Sequence, residues 1–377
     1  MDVPILPASC VAGSRLFWKS SLELVDSSSA KYDNPVDTDA DASSVRLLIS
    51  IPALNEEATI GEVLRAIPRE LPGIRDTEIV VIDDGSTDGT AELALRQGAQ
   101  VIQHRQQRGV GAAFGTALAY AIENEIDILV TIDADGQFNP SDIPQLVAPI
   151  IDGRADFATA SRFKDPNLTP EMPFLNLWGN RRMSNLVSRL TGSRFHDVSC
   201  GMRSYNRRAM LNLNLLGEFT YTQEVFLNLA FKRFRIMEVP IRVRGTRRYG
   251  ESRVASSLFT YAWRTSRIIF RAYRDYKPMR LFGLLTLILV IPGVLLDGWL
   301  MIHYLRSGSF TPHKWAGFVS IGLFMFGMLT LHIGMIGDML NRHRIYLEEL
   351  LFHSRLAGGG QKESTGKTNL RNVKRPK

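Results

Sequence analysis

Residues 127–137 read DILVTIDADGQ, a short apolar run from Asp127 to Ile132 that stops at Asp133-Ala134-Asp135-Gly136-Gln137. Such a run, bounded by turn formers, predicts a buried strand. Two carboxylates one residue apart at its end, with an amide two further on, offer hard oxygen ligands to Mg²⁺ or Mn²⁺ shared with substrate phosphates. A D-x-D pattern alone is common in solvated loops. Here it follows a buried strand and precedes a helix start at Pro140-Ser141-Asp142, and that context gives it weight.

The chain upstream repeats the arrangement. Arg46 to Pro52 (RLLISIP) predicts a strand ending at a proline, and Glu78 to Ile82 (EIVVI) a second one stopping at Asp83-Asp84-Gly85-Ser86. Gln100 to Gln103 predicts a third. Between them Ala58–Ile67, Thr90–Gln97 and Gly111–Asn124 have helical spacing. Strands alternating with helices imply right-handed crossovers and an α/β domain with a mainly parallel sheet. In such sheets ligands bind outside the carboxyl ends of the strands, where Pro52, Asp84 and Asp133 all fall. Turn and cap chemistry explains Ser86, Thr87 and Asp88. It leaves the two acids at the strand end unexplained.

The chain has 377 residues, 45 Lys plus Arg against 38 Asp plus Glu, with 45% apolar and 22% charged residues. These values exclude a disordered chain and a polytopic transporter. Cys10 and Cys200 are too few for a disulfide framework or a cysteine metal cluster. The weakly apolar start, followed by Arg15 and Lys19, does not read as a cleaved signal peptide. Residues 1–45 and the Gly/Lys/Arg-rich end from Gly358 read as solvated tails.

Two stretches depart from the average. Leu281–Leu305 carries one formal charge, Asp297, and 315–340 carries His332 and Asp338. Each exceeds the ~20 apolar residues that span a bilayer core. Trp299, Tyr304 and Trp315 suit an interfacial aromatic belt. Arg264, Arg267, Arg271, Arg274, Lys277 and Arg280 precede the first span; Arg342, Arg344 and Arg355 follow the second. The positive-inside rule then predicts a multi-pass protein of the cell membrane with both termini and the large domain in the cytoplasm. Residues 254–280 mix aromatics with Arg as an interfacial amphipathic helix does, leaving 341–377 as a cytoplasmic tail. The +7 net charge suits anionic lipid better than nucleic acid, because no reading helix concentrates it.

The series Pro52-Ala53-Leu54-Asn55-Glu56, Val81 to Thr90 (VIDDGSTDGT) and Asp133-Ala134-Asp135-Gly136-Gln137 resembles glycosyltransferase family 2, with its GT-A fold. Ser161-Arg162-Phe163, Asp197 with Gly201 and Arg203, and Arg247 to Arg253 (RRYGESR) resemble its dolichyl- or polyprenyl-phosphate sugar synthases. The likeness covers 46–253 and continues into the paired spans, where Gly334 to Leu350 resembles the two-span members.

The resemblance implies that Pro52, Leu54, Glu56, Ile82, Asp84, Asp133 and Ala134 hold the nucleotide. Asp133, Asp135 and Gln137 would hold the metal and diphosphate, and Arg162, Arg181, Arg247 and Arg253 the donor and acceptor phosphates. Asp133, Asp135, Arg162 and Arg247 form the implied catalytic set, while Asp197 and Glu224 have no settled role. Leu54 stands where the mannosyl enzymes commonly have Tyr, and Arg253 where many relatives have Lys. The implied reaction is inverting transfer of a sugar from a UDP- or GDP-sugar to a polyprenyl phosphate. That acceptor is already a nucleophile, since a phosphate monoester has a second pKa of ~6. A hydroxyl acceptor, needing a base such as Glu224, is the neighbouring alternative, and a non-catalytic nucleotide-binding scaffold the more distant one. The Q-x-x-R-W pattern of processive polysaccharide synthases is absent from the sequence. His196 lacks a second ligand at metal spacing, Cys200 reads as a packed small residue, and paired spans are compatible with a homo-oligomer.

Overall fold

The computed structural model describes residues 45–214, 221–245, 266–267, 270–271 and 273–360. The N-terminal tail, Arg247, Arg253, most of the segment 254–272 and residues 361–377 lie outside the described residues. Within them, β1 (Arg46–Ala53), β2 (Asp76–Asp83), β3 (Gln100–Gln103), β4 (Ile128–Thr131), β5 (Phe157–Ser161), β6 (Arg203–Asn206) and β7 (Ile236–Pro240) form one sheet, ordered β3-β2-β1-β4-β6-β5-β7. All neighbouring pairs are parallel except those of β6, which runs against β4 and β5. This is the GT-A arrangement expected from the sequence.

The strands are apolar on both faces because helices cover both. Leu47, Ile49 and Ile51 join one core cluster with Ile60, Val63 and Leu64 of α1 (Glu57–Ala66) and Leu146 and Val147 of α4 (Ile143–Ile151). Leu48, Val80 and Ile82 join the other, under α3 (Val110–Glu123). Small residues on α3, Ala113, Ala117 and Ala121, let that helix sit close to the strands. α2 (Thr90–Arg96) links β2 to β3. After β5 come α5 (Phe174–Thr191), then α6 (Arg207–Asn212) and α7 (Thr222–Phe231) on either side of the 215–220 gap in the described residues.

The two apolar stretches are helices α8 (Pro278–Ser307) and α9 (Lys314–Gly360), both long and apolar enough to cross a membrane. Their large side chains point outward; Leu295 is 67% and Phe318 77% exposed, which water would penalise and lipid would not. Between the helices the packing is close. Gly293 sits against Ser320 and Leu323, and Gly334 against Phe282. Thr286 and Thr330 share a hydroxyl hydrogen bond of 2.9 Å, and Ser320 Oγ donates to the Gly293 carbonyl. Small residues and hydroxyl bonds are what helix association in lipid needs, because apolar burial supplies little drive there. Asp297 is exposed and makes no hydrogen bond or ion pair with a described residue of the adjoining span.

The second apolar helix does not stop where its apolar run ends. α9 continues as one 47-residue helix through Arg342 and Arg355, so 341–360 is no tail. At 1.5 Å per residue it is ~70 Å long, more than twice a bilayer core. Its polar end lies on the sheet domain. Glu348 pairs with Lys232 at 3.1 Å, Arg344 stacks 3.6 Å over the Tyr276 ring, and Arg355 Nη1 donates to the Leu211 and Leu213 carbonyls. Charged pairs ended the hydrophobic pattern but left helix propensity intact.

Candidate active site

The carboxyl ends of β1, β2 and β4 open on one crevice. Pro52 pairs with Ile82 and Ala53 with Asp83, so the loops after both strands start level. Those loops are clamped to each other. Asn55, at φ +51°, donates its amide to Ser86 Oγ and accepts Thr87 N at its side-chain carbonyl. Glu56 N donates to Thr90 Oγ1, and Gly89 N to Glu57 Oε2. Seven residues of loop chemistry thus become a rigid edge beside Leu54 and Glu56, both half-buried at the crevice.

The two acids at the end of β2 support the neighbouring loops. Asp83 is fully buried and accepts Ser86 N and Gln103 Nε2. Asp84 accepts His104 Nδ1 (2.7 Å) and Arg108 N on one oxygen and Gly109 N (2.7 Å) on the other. Its carboxylate therefore builds the 104–109 loop at the start of α3. Ile82, expected to hold the nucleoside, has its side chain wholly in the core beneath α3. A nucleoside at this edge would meet the main chain of Ile82 and the loop that Asp84 organises.

Past β4 the D-x-D turn is shaped by Gly136 at φ +69°. Asp135 Oδ1 accepts Gln137 N, and Gln137 joins residue 244 through its side-chain and main-chain bonds. Asp133 lies against Gly201: a β-carbon there would overlap its Oδ2. Thr131 Oγ1 fastens the same stretch by donating to the Gly201 carbonyl. Asp133, Asp135 and Gln137 therefore lie together on one turn. Their donor set suits a divalent cation: two carboxylates and an amide, all oxygen donors, with no third His, Cys, Asp or Glu among the described residues forming a closed cage. A cation completed by substrate phosphates needs no such cage.

Arg162 has a different occupation from a bare phosphate clamp. Its Nε and Nη2 donate to Asp197 at 2.7 and 2.9 Å, its backbone N to the same carboxylate, and Nη2 also to Ser199 Oγ. Asp197 is fully buried. Burial alone would push its carboxyl up, but the Arg162 charge and hydrogen bonds outweigh that and hold it below the usual carboxylate range. Asp197 thus aims Arg162 beside the crevice. Glu238 on β7 supports the pair, accepting His196 N, Asp197 N, His196 Nδ1 and Ser161 Oγ. Sequence reading passed over Glu238; an acid inside a strand otherwise apolar was its one signal. His196 is bound to that acid, as a structural residue.

Arg203 is completely buried without a carboxylate. Its guanidinium donates to the Cys200, Val198 and Thr222 carbonyls and lies over the Phe157, Tyr221 and Phe226 rings, tying the 197–201 turn to α7. Cys200 is packed in the same place, and burial pushes its thiol up to about 12. Glu224 stands half-buried on the first turn of α7.

α5 was assigned to no functional element from sequence, although FLNLWGNRRMSNLVSRL carries the same aromatic and Arg mixture as 254–277. Phe174 is 79% exposed, and Trp178, Leu186, Arg181, Arg182 and Arg189 are exposed as well. Arg181, an expected phosphate ligand, is on this helix. In its first half Asn180 accepts the Ser199 hydroxyl (2.8 Å) next to the Arg162–Asp197 pair; at its C-terminal end Leu190 O accepts Lys277 Nζ (2.9 Å), one residue before α8.

A family model described as glycosyl transferase family 2 matches residues 48–213, from β1 to the end of α6. A UDP-N-acetylglucosamine–dolichyl-phosphate N-acetylglucosaminyltransferase of Methanococcus voltae is 32% identical over 216 residues, 52% of this chain and 84% of the relative. A dolichyl-phosphate hexose transferase of Haloferax volcanii is 33% identical over 208 residues, 55% of this chain and 86% of the relative. An undecaprenyl-phosphate 4-deoxy-4-formamido-L-arabinose transferase of Pseudomonas paraeruginosa is 30% identical over 307 residues, 78% of this chain and 84% of the relative.

Proposed function

Since this chain belongs to glycosyl transferase family 2 and is a glycosyltransferase, we propose that it moves a sugar from a nucleoside diphosphate to a polyprenyl phosphate lying in a bilayer. One observation carries the choice of acceptor. A single helix, α5, connects the Arg162–Asp197 end of the crevice to the start of the apolar hairpin, with apolar and Arg side chains exposed along the way. A lipid whose phosphate reacts and whose tail stays in the membrane needs such a path.

In this reading the nucleoside rests on the edge made by residues 52–56 and the 83–90 loop. Asp133 and Asp135, with Gln137, would hold a divalent cation, Mg²⁺ or Mn²⁺, shared with the diphosphate. When bound, that cation supplies positive charge to the departing nucleoside diphosphate. Arg162, aimed by Asp197, and Arg181 draw the acceptor phosphate toward the sugar, joined by Arg247 and Arg253. A phosphate with a second pKa near ~6 arrives able to attack, so the site's task is to bring two anions together rather than to remove a proton. Inversion follows from direct attack opposite the leaving group. The hairpin α8–α9 spans the membrane with the catalytic domain on the cytoplasmic side, where the Arg- and Lys-rich flanks lie.

The test is transfer by purified full-length protein in detergent with Mg²⁺ or Mn²⁺, polyprenyl phosphate and a panel of radiolabelled UDP- and GDP-sugars. Metal-dependent label in the lipid phase, lost in Asp135→Asn, is expected. Donor hydrolysis without lipid product would move the acceptor to a hydroxyl, and no turnover with any donor would leave only nucleotide binding.

A further inference from the structure

The end of the sheet away from the crevice carries a second concave site. It is lined by Thr191 at the end of α5, by Ser193, Arg194 and Phe195 beyond it, and by Arg233 and Phe234 after α7, with a volume of about 380 Å³. Ile236, the first residue of β7, closes it. β7 runs parallel to β5, whose far end leads into Arg162. The cavity is therefore separated from the crevice by the length of a five-residue strand, ~16 Å.

Two guanidinium groups line this cavity, and neither makes a hydrogen bond or ion pair with another described residue. The acids closest in sequence are already taken, Asp197 by Arg162 and Glu238 by His196. Arg233 moreover holds φ +60° just past the end of α7. Gly or Asn usually fills such a left-handed position, and a residue with a longer side chain is strained there. The carbonyl ends of α5 and α7 attract cations by themselves. That attraction accounts for a positive charge, which an exposed Lys could supply, but not for a strained residue carrying its guanidinium at a cavity.

Position narrows the ligand. Thr191 follows Leu190, whose carbonyl accepts Lys277 Nζ immediately before α8 enters its apolar run. Burial, and then the charge of Arg280, lower the Lys277 ammonium below the ordinary lysine value, as crowded positive charge does. The cavity thus lies on a cation-rich surface, next to the contact that ties α5 to the residue before the apolar hairpin.

We propose that Arg194 and Arg233 form a phosphate-binding site at the membrane junction, apart from the catalytic crevice. A guanidinium pair binds phosphate oxygens through parallel N–H donors, and Ser193 stands at the same cavity with a hydroxyl to add. A phospholipid headgroup and inorganic phosphate share that chemistry. Held there, an anionic headgroup would fix the catalytic domain against the bilayer without entering the reaction.

Native mass spectrometry of the full-length protein in detergent tests it, with phosphatidylglycerol, phosphatidylcholine and inorganic phosphate as probes. Retention of phosphatidylglycerol over phosphatidylcholine is expected, weakened at least about tenfold in Arg194→Ala and in Arg233→Gly. Tenfold corresponds to ~1.4 kcal/mol, the size of one charge-assisted contact. Arg233→Gly relaxes the left-handed backbone, so its melting temperature should not fall and weaker binding could not be ascribed to unfolding. If inorganic phosphate leaves the lipid in place, the headgroup is the occupant; if it displaces the lipid, the site takes free phosphate too. Unchanged phosphatidylglycerol binding in both variants, or equal retention of phosphatidylcholine, would overturn the proposal.

Discussion

Gly201 lies so close to Asp133 that a β-carbon at Gly201 would overlap the Asp133 carboxylate oxygen Oδ2. The first acid of the D-x-D turn is thus seated by a glycine 68 residues later in the chain, on the turn that Arg203 fastens to α7. Gly201→Ala is expected to displace that carboxylate while leaving the buried sheet intact. A displacement of about 1 Å in a reacting constellation costs on the order of 100-fold in rate. Transfer activity should fall by about that factor, and the Mn²⁺ concentration for half-maximal rate should rise. A variant with unchanged metal dependence would show that Asp133 does not need this contact.

The Arg162–Asp197 pair should be visible in stability as a function of pH. Asp197→Asn leaves Arg162 partly buried without its counter-charge, which typically costs about 3–5 kcal/mol. The Asp197 carboxyl is depressed in the folded protein, so its stabilising effect is complete above the unfolded value of ~3.9 and is lost as pH falls through the folded value. The difference in melting temperature between wild type and Asp197→Asn should therefore be flat from about pH 5 to 8 and shrink below about pH 4. A difference that grew on acidification would contradict the assignment.

The polar end of α9 gives a second point of attachment between hairpin and domain. Arg355→Ala removes two hydrogen bonds from a charged donor to the Leu211 and Leu213 carbonyls, each worth about 1.5–3 kcal/mol where buried and less here, at a half-buried group. Amide exchange over residues 211–214 should quicken several-fold, and transfer to the lipid acceptor should drop more than donor hydrolysis does. Equal loss of both activities would mean that the contact only stabilises the domain.

Within the hairpin, Gly334 meets the Phe282 β-carbon, so a Cβ at Gly334 would come within 2.8 Å of it. Gly334→Val must part the helices at that level, and overpacking of this kind costs about 1–3 kcal/mol. Thermal unfolding in detergent should show the loss, while Gly322→Val, where a Cβ meets nothing within 4 Å, should leave the melting temperature unchanged.

The first four strands, their parallel run and the placing of Pro52, Asp84 and Asp133 at their carboxyl ends were legible in the sequence; β5, β6 and β7 were not. Runs such as RLLISIP, EIVVI and DILVTI encode burial on both faces, and turn residues mark where each ends. The two apolar helices were legible for the same reason: hydrophobicity is a property of each residue and needs no partner to be seen. Their boundaries were not, because α9 continues past Leu340 on charges that satisfy Lys232, Tyr276 and two carbonyls far along the chain. The turn-clamp roles of Asp83 and Asp84 and the pairing of Arg162 with Asp197 were hidden likewise. A carboxylate in sequence does not say whether metal, nucleoside, guanidinium or backbone amide will take it. Only the fold, by bringing residues 35 apart within 2.7 Å, decides which of these it meets.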